Sequence, residues 1–450
     1  MAIAVALLFK YFVLEISKIP SGSMQPTLMG NPETGVFDRT IVDKLSFHFR
    51  DPKRWEIVVF KHPLEHSRIM VKRLVGMPGE ELKIERGDLW TRAPGSEAWT
   101  ILRRPPEVQR EAWRSLETRE RKGAAWSVVR GGKDWRVAGH ELHARGEGAV
   151  RYLAGAGPIT DEYLDGYPPS LVSQIGMRDP AWGRNPVGDL RLEGELTAEA
   201  GTEAVTFEFT EGQRAYEFRL PGPAALADAT VELRVRDSVA SSERYERGAS
   251  YRLPAGARVA FGVENLDDRL ALEVDGETLV ALDIESSERQ EASLTLGLVG
   301  AGAEAALAEL EVFRDIYYLT PPKRSTWSVE IPLGSYVMLG DNTQDSADSR
   351  LWEAKSYEIR SSDGAPLTVR GNYRGGNENP SEGLLASGRR GLRFRDQWGE
   401  VHWFSEAEGK PLTFQGNAPL VTRDLVVGRA LAVFWPIKPF QGLWRVGWLR

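Results

Sequence analysis

Ile19-Pro20-Ser21-Gly22-Ser23-Met24-Gln25-Pro26-Thr27-Leu28 follows a short apolar N-terminal run and sets a serine in an unusual frame. Pro20 fixes its own φ, and Gly22 permits a backbone conformation that other residues avoid. Pro26 stiffens the exit. A turn of this kind can hold one hydroxyl forward as a nucleophile. It can also aim a backbone N–H, and a second hydroxyl, at a developing oxyanion. Ser-Gly-Ser between prolines is an ordinary linker as well, so the reading depends on what the remainder of the chain supplies.

Upstream, residues 1–16 read MAIAVALLFKYFVLEI, apolar except for Lys10 and Glu15. About 20 apolar residues cross a bilayer core, so this run is a partial anchor, the end of a longer spanning helix, or a buried amphipathic helix. An A-x-A-like site of a cleaved signal peptide is missing. Downstream, Thr40–Leu45 and Trp55–Phe60 read as strands, the second with a buried apolar run. Lys72 then sits inside the apolar stretch Arg68-Ile69-Met70-Val71-Lys72-Arg73-Leu74-Val75-Gly76. Successive strand residues face opposite ways, so either Lys72 or Arg73 points inward or into a cleft. A buried lysine has a depressed pKa, and a neutral lysine is a competent general base. The alternative is a charged lysine on a solvated edge.

With 450 residues, two or three domains are expected, and a sizeable core is within reach. The formal net charge of −7 argues against a nucleic-acid partner. The absence of cysteine excludes disulfides, cysteine nucleophiles and thiolate metal sites. Frequent Gly and Pro point to many short strands with little helix.

After Trp90 the periodicity weakens, and 91–187 reads as an irregular connector with some helix near 106–118. From 188 to 313 alternation is regular: Val205, Phe207 and Phe209, then Tyr216, Phe218 and Leu220, then Val231, Leu233 and Val235. Asp275-Gly276 is a two-residue hairpin signal. This is a β-sandwich pattern, and 263–276 resembles lectin-like jelly-roll modules of the concanavalin or laminin-G type. A spacer or protein-contact role is expected of it, not sugar or calcium binding. A strand at 336–339 feeds Gly340-Asp341-Asn342-Thr343-Gln344-Asp345-Ser346-Ala347-Asp348-Ser349-Arg350, whose oxygens do not follow the EF-hand spacing and whose Arg350 would repel a cation. A second irregular insert spans 351–416, and 425–435 is a closing buried strand.

In this order the pieces resemble bacterial type I signal peptidases, membrane-bound Ser–Lys proteases. The matching pieces are I-P-S-G-S-M-x-P-T-L at 19–28, I-V-V-F at 57–60, K-R-x-V-G-x-P-G-E at 72–80, G-D-N-x-x-x-S-x-D-S-R at 340–350 and V-G-R-A at 427–430. Trp55-Glu56 departs from the family's usual Gly-Asp, and Thr343-Gln344-Asp345 from its Arg-containing middle.

The resemblance implies Ser23 as nucleophile and Lys72 as general base. The Ser21 hydroxyl and the Ser23 N–H would form the oxyanion hole, Ser346 would orient the lysine, and Asp348 with Arg350 would hold that loop. Ile19, Pro20 and Val71 would line pockets for small side chains. The implied activity is removal of signal peptides from exported preproteins after A-x-A-like sequences, without metal or other cofactor. Partners would be preproteins, membrane lipid and the export machinery, with the catalytic domain on the outer, periplasmic side of the cell membrane.

The expected fold is mainly β. A signal-peptidase-type antiparallel core would comprise 17–90, 314–350 and 417–450, interrupted by the connector, the sandwich and the second insert, with the anchor at 1–16. A self-cleaving Ser–Lys protease and a non-catalytic envelope adhesion protein using the sandwich are the competing readings.

Overall fold

A computed structural model of the chain describes residues 13–117, 125–131, 134–153, 158–176, 183–286, 291–360, 364–373, 379–385, 388, 390–405, 408–411, 416–438 and 443–450. The chain divides into two units, one formed by Met1–Glu85, Leu89–Glu111 and Tyr318–Arg450, the other by Arg86–Asp88 and Ala112–Tyr317.

The first unit is built on an eight-stranded antiparallel sheet. Its strands are β1 (Leu14–Lys18), β2 (Arg39–Asp43), β3 (Ile57–His62), β4 (Glu65–Gly76), β5 (Ser335–Leu339), β6 (Leu420–Thr422), β7 (Val426–Trp435) and β8 (Gly447–Trp448). Their lateral order is β1-β2-β7-β3-β4-β5-β6, with β8 paired to β7. Apolar clusters cover both faces of this sheet. Val58, Phe60, Met70, Leu74, Tyr336 and Met338 pack on one side, with Phe47 and Trp352 over them. Ile57, Ala430 and Val433 pack on the other with Ile19, Met24 and Leu28, and Val71 lies against them. The period of two makes this division inevitable: Met70 and Leu74 share a face that Val71 cannot.

Coverage on both sides corrects the expectation for the basic pair in β4. Lys72 and Arg73 do point opposite ways, but both are buried, 2% and 0% exposed. The N-terminal expectation changes too. Leu14 to Ile16, the end of the expected anchor, lie in β1, paired with Asp43, Val42 and Ile41 of β2. Residues 1–12 of the expected anchor lie outside the described residues. Among the described residues no helix is long and apolar enough to cross a membrane.

The second unit is a two-sheet sandwich. One sheet runs laterally through Ala125–Arg130, Gly148–Leu153, Ala292–Val299, Ala204–Glu211, Arg214–Pro221, Thr230–Asp237 and Ser242–Ser250. The other includes Glu141–Arg145, Glu304–Arg314, Leu190–Ala198, Arg258–Leu266, Arg269–Val274 and Glu277–Asp283. Their inner faces merge in one apolar core, and Phe207 of the first sheet stacks on Phe261 of the second at 5.0 Å between ring centroids. The hairpin at Asp275-Gly276 takes φ of 49° and 83°, the left-handed pair that a type I′ turn requires.

Two expectations fail here. The stretch 91–187 is not merely a connector, because Ala125–Arg130, Arg136–Ala138, Glu141–Arg145 and Gly148–Leu153 join the sandwich sheets. These strands have only three to six residues, and runs such as Leu142/Ala144 and Val150/Tyr152 are too brief to show a period. The second insert is not irregular either. Its strands Glu353–Arg360, Pro366–Asn372, Arg390–Arg395 and Val401–Phe404 enclose Tyr357, Ile359, Val369, Phe394 and Phe404.

Candidate active site

Ser23 lies in a short 3-10 turn, Gly22–Met24, immediately after β1 and the buried Ile19. Leu28 N–H donates to Met24 C=O, and Met24 and Leu28 are sunk in the apolar cluster, so the turn is fastened from below. Gly22 does not take a positive φ as the sequence suggested. A Cβ there would come within 2.9 Å of Asp345 Oδ2, the end of a side chain that can shift.

Lys72 reaches this turn from β4. Its Nζ lies 2.5 Å from Ser23 Oγ and donates to Val71 C=O at 3.1 Å. Burial removes the ammonium from water, and this lowers its pKa from 10.5 to about 8 against the opposing pull of Asp348. A hydroxyl and an amine in contact, both buried, with the amine's pKa lowered, are the arrangement that a nucleophile and a general base require. No histidine is needed.

The loop 340–350 closes the site from β5, although it lies more than 300 residues away in sequence. Asn342 N–H donates to Ser23 C=O at 3.2 Å, and Asn342 Nδ2 donates to Gly22 C=O at 3.0 Å. Gly340 is required for close approach: a Cβ would come within 2.1 Å of Ser346 Oγ and 2.4 Å of Ser23 C=O. Asp348 organises the loop, accepting from Gly340 N–H, Ser346 Oγ and the Arg350 guanidinium. Burial alone would raise the Asp348 carboxyl, but Arg350 and these donors outweigh it and hold it below the usual range. Ser346 departs from its expected position. Its hydroxyl donates to Asp348 at 2.8 Å, while Lys72 takes Val71 C=O as its second partner, so any influence on the lysine passes through the loop.

The remaining site candidates are divided. Ser21 is exposed beside the Gly22–Met24 turn, with extended backbone at φ −131° and ψ 158°. Pro20 is exposed and Val71 half-buried, so both border open space. Ile19 is 3% exposed and belongs to the core beneath the turn, so it supports a pocket without facing one.

Sequence reasoning assigned no role to Arg73 and Asp341. The structure joins them in a fully buried bidentate pair, Nε to Oδ1 at 2.9 Å and Nη2 to Oδ2 at 2.8 Å, and Thr27 Oγ1 donates to the same carboxylate. This pair ties β4, the 340–350 loop and the segment 19–28 together. The signal was the adjacency of Arg73 to Lys72 and the presence of Asp341 in the Gly-Asp-Asn sequence. Trp55 is a second omission. It stands at φ 75°, where the resembling family commonly carries Gly, and its C=O accepts from Arg73 Nη1 at 2.8 Å.

The family described as "Signal peptidase, peptidase S26" matches residues 1–115. This part of the chain is similar to the S26 signal peptidases. The chain is 38% identical over 95 residues to "Probable signal peptidase I-2" of Synechocystis sp., covering 20% of this chain and 40% of that one. It is 35% identical over 117 residues to "Signal peptidase I" of Leptolyngbya laminosa, covering 24% and 54%. The chain thus spans about half or less of the length of these S26 relatives. A carbohydrate-binding module from Bacillus subtilis covers 41% of this chain and 92% of its own at 14% identity, with a TM-score of 0.25. A likeness that weak carries nothing about the sandwich, whose architecture rests on its own sheets.

Proposed function

We propose that this protein is a membrane-associated endopeptidase of the signal peptidase I type, which removes leaders from exported preproteins after small residues. The observation that carries the reading is the contact between Lys72 Nζ and Ser23 Oγ, both buried side chains. Neutral Lys72 takes the Ser23 proton as Ser23 Oγ attacks the scissile carbonyl. The Ser23 N–H and the exposed Ser21 hydroxyl receive the oxyanion. The leaving amine takes the proton from Lys72, leaving an acyl-enzyme. Lys72 then draws a proton from water, which adds to the ester, and Ser23 leaves with that proton. Pro20 and Val71 border the space for the small side chain before the cleaved bond. Asp348, Arg350 and Ser346 keep the loop in position, and no cofactor takes part.

Association with the membrane surface is supported by a lateral row on β1, β2, β7 and β8 of the first unit's sheet. Ile16, Ile41, Ala432 and Trp448 are cross-strand partners in sequence, so they share one face. Ile16 is 64% and Trp448 74% exposed. Beside them Lys18, Arg39 and Trp435 form a second row. Aromatic and basic side chains around an apolar row suit the interface of a bilayer. The site would work on the outer, periplasmic side, where exported chains emerge from the export machinery.

Cleavage of a model preprotein in detergent tests the reading. The wild type is expected to cut at the A-x-A site, and Ser23→Ala and Lys72→Ala to lose at least about 10³-fold in kcat, as when one member of a nucleophile–base unit is removed. Normal cleavage by Lys72→Ala would exclude it.

A further inference from the structure

We propose that Trp398, on the second insert, is a specificity-determining contact for the apolar segment of the leader upstream of the cleaved bond; this rests on the signal-peptidase reading of the Ser23–Lys72 pair. The path to it is the edge of β4. Among the described residues β5 pairs with β4 only at Arg73, Leu74 and Gly76, so between His66 and Arg73 that edge carries no partner strand. Ile69 on that stretch is 52% exposed. An exposed strand edge accepts an extended peptide by backbone pairing. If Val71 borders the small residue before the cleaved bond, earlier leader residues run back along β4 toward His66.

The second insert is docked there. His66 N–H donates to Gln397 C=O at 2.8 Å, and the Trp398 ring meets the His66 ring edge-on, with centroids 4.3 Å apart and planes at 85°. Six residues separate His66 from Lys72, about 20 Å in an extended strand. Trp398 therefore stands about six leader residues upstream of the dyad. A leader is polar and small-residue-rich near its cleavage site and apolar beyond it, so an aromatic contact at this distance meets the apolar part.

The tryptophan is displayed, not loosely attached. Asp396 Oδ1 accepts from Trp398 N–H and Glu400 N–H, and its Oδ2 pairs with His402 Nε2 at 3.0 Å, which braces the turn. Yet Trp398 is 70% exposed, an area that its own fold leaves to solvent. Val401 and Trp403, on the following strand of the same hairpin, are exposed as well.

The test compares two substrates on the full chain in detergent: a preprotein with its complete leader, and a peptide that begins five residues before the scissile bond. For Trp398→Ala, the ratio of kcat/KM for the long substrate to that for the short one should fall about tenfold, through KM, the worth of one aromatic contact. Trp398→Phe should recover most of that ratio. An unchanged ratio in Trp398→Ala, or an equal loss on both substrates, would overturn the inference while leaving the peptidase reading intact. Wild-type protein that cuts neither substrate would overturn both.

Discussion

Around Lys72 the buried set includes Arg73, Asp341, Ser346, Asp348, Ser349 and Arg350; around Phe207 it is Val205, Phe209, Phe218, Phe261 and Leu296. Both regions are antiparallel β-sheet with dense packing, but burial does different work in each. In the sandwich it removes apolar area from water, at about 25 cal/mol per Å², and the contacts are non-directional. Around the dyad it desolvates charges, which is costly, and the cost is offset only where each charge meets a partner in good geometry. Such a network holds atoms in fixed relations that apolar packing alone would not specify. One interior keeps the molecule folded, and the other keeps Ser23, Lys72 and the 340–350 loop in register.

The contrast is sharpest in the Arg73–Asp341 pair. Arg73→Met leaves the Asp341 carboxylate buried without its guanidinium, which should cost about 3–5 kcal/mol and also displace the 340–350 loop, lowering kcat. Denaturant titration and preprotein cleavage read the two effects. Stability lost with full kcat retained would separate the network from the chemistry and break the comparison. Phe207→Ala in the sandwich should cost a similar about 3–5 kcal/mol by cavity formation, yet leave kcat per folded molecule unaltered. A fall in kcat there would mean that the sandwich, too, positions the site.

The smallest expected effect concerns Lys72 itself. Its pKa falls from 10.5 to about 8 on folding, so between those values the unfolded chain holds the proton that the folded chain has released. The penalty is absent above about pH 10.5, grows as pH falls, and is complete below about pH 8, where it amounts to about 3 kcal/mol. Lys72→Met should therefore be more stable than wild type at pH 6 to 7, and the gap should close as pH approaches 10. Thermal unfolding across that range checks it, and a gap independent of pH would show that the lysine is not desolvated as described.

Much of this was legible in the chain. Ser23 and Lys72 stand in motifs dense enough to be read, and the alternation at 205–220 names its own sandwich. What could not be read was how distant segments meet. Asp341 and Arg73 are 268 positions apart, and although each stands in a motif, neither motif says that the two side chains pair. The resemblance gives Ser346 to the lysine, but its hydroxyl donates to the Asp348 carboxylate. Trp55 in a left-handed conformation defeats propensity altogether, because β4 and Arg73 impose it: its N–H donates to Leu74 C=O and its C=O accepts from Arg73. The strands of 125–153 were lost for a different reason, their brevity, which leaves too few residues to establish a period.

The most direct measurement is the pH dependence of single-turnover acylation of a preprotein by wild-type protein. With neutral Lys72 as the base, the rate should rise tenfold per pH unit at low pH and level off above an inflection near pH 8, the value to which burial lowers the amine. A rate that is flat from pH 5 to 9 with chemistry limiting would contradict the account.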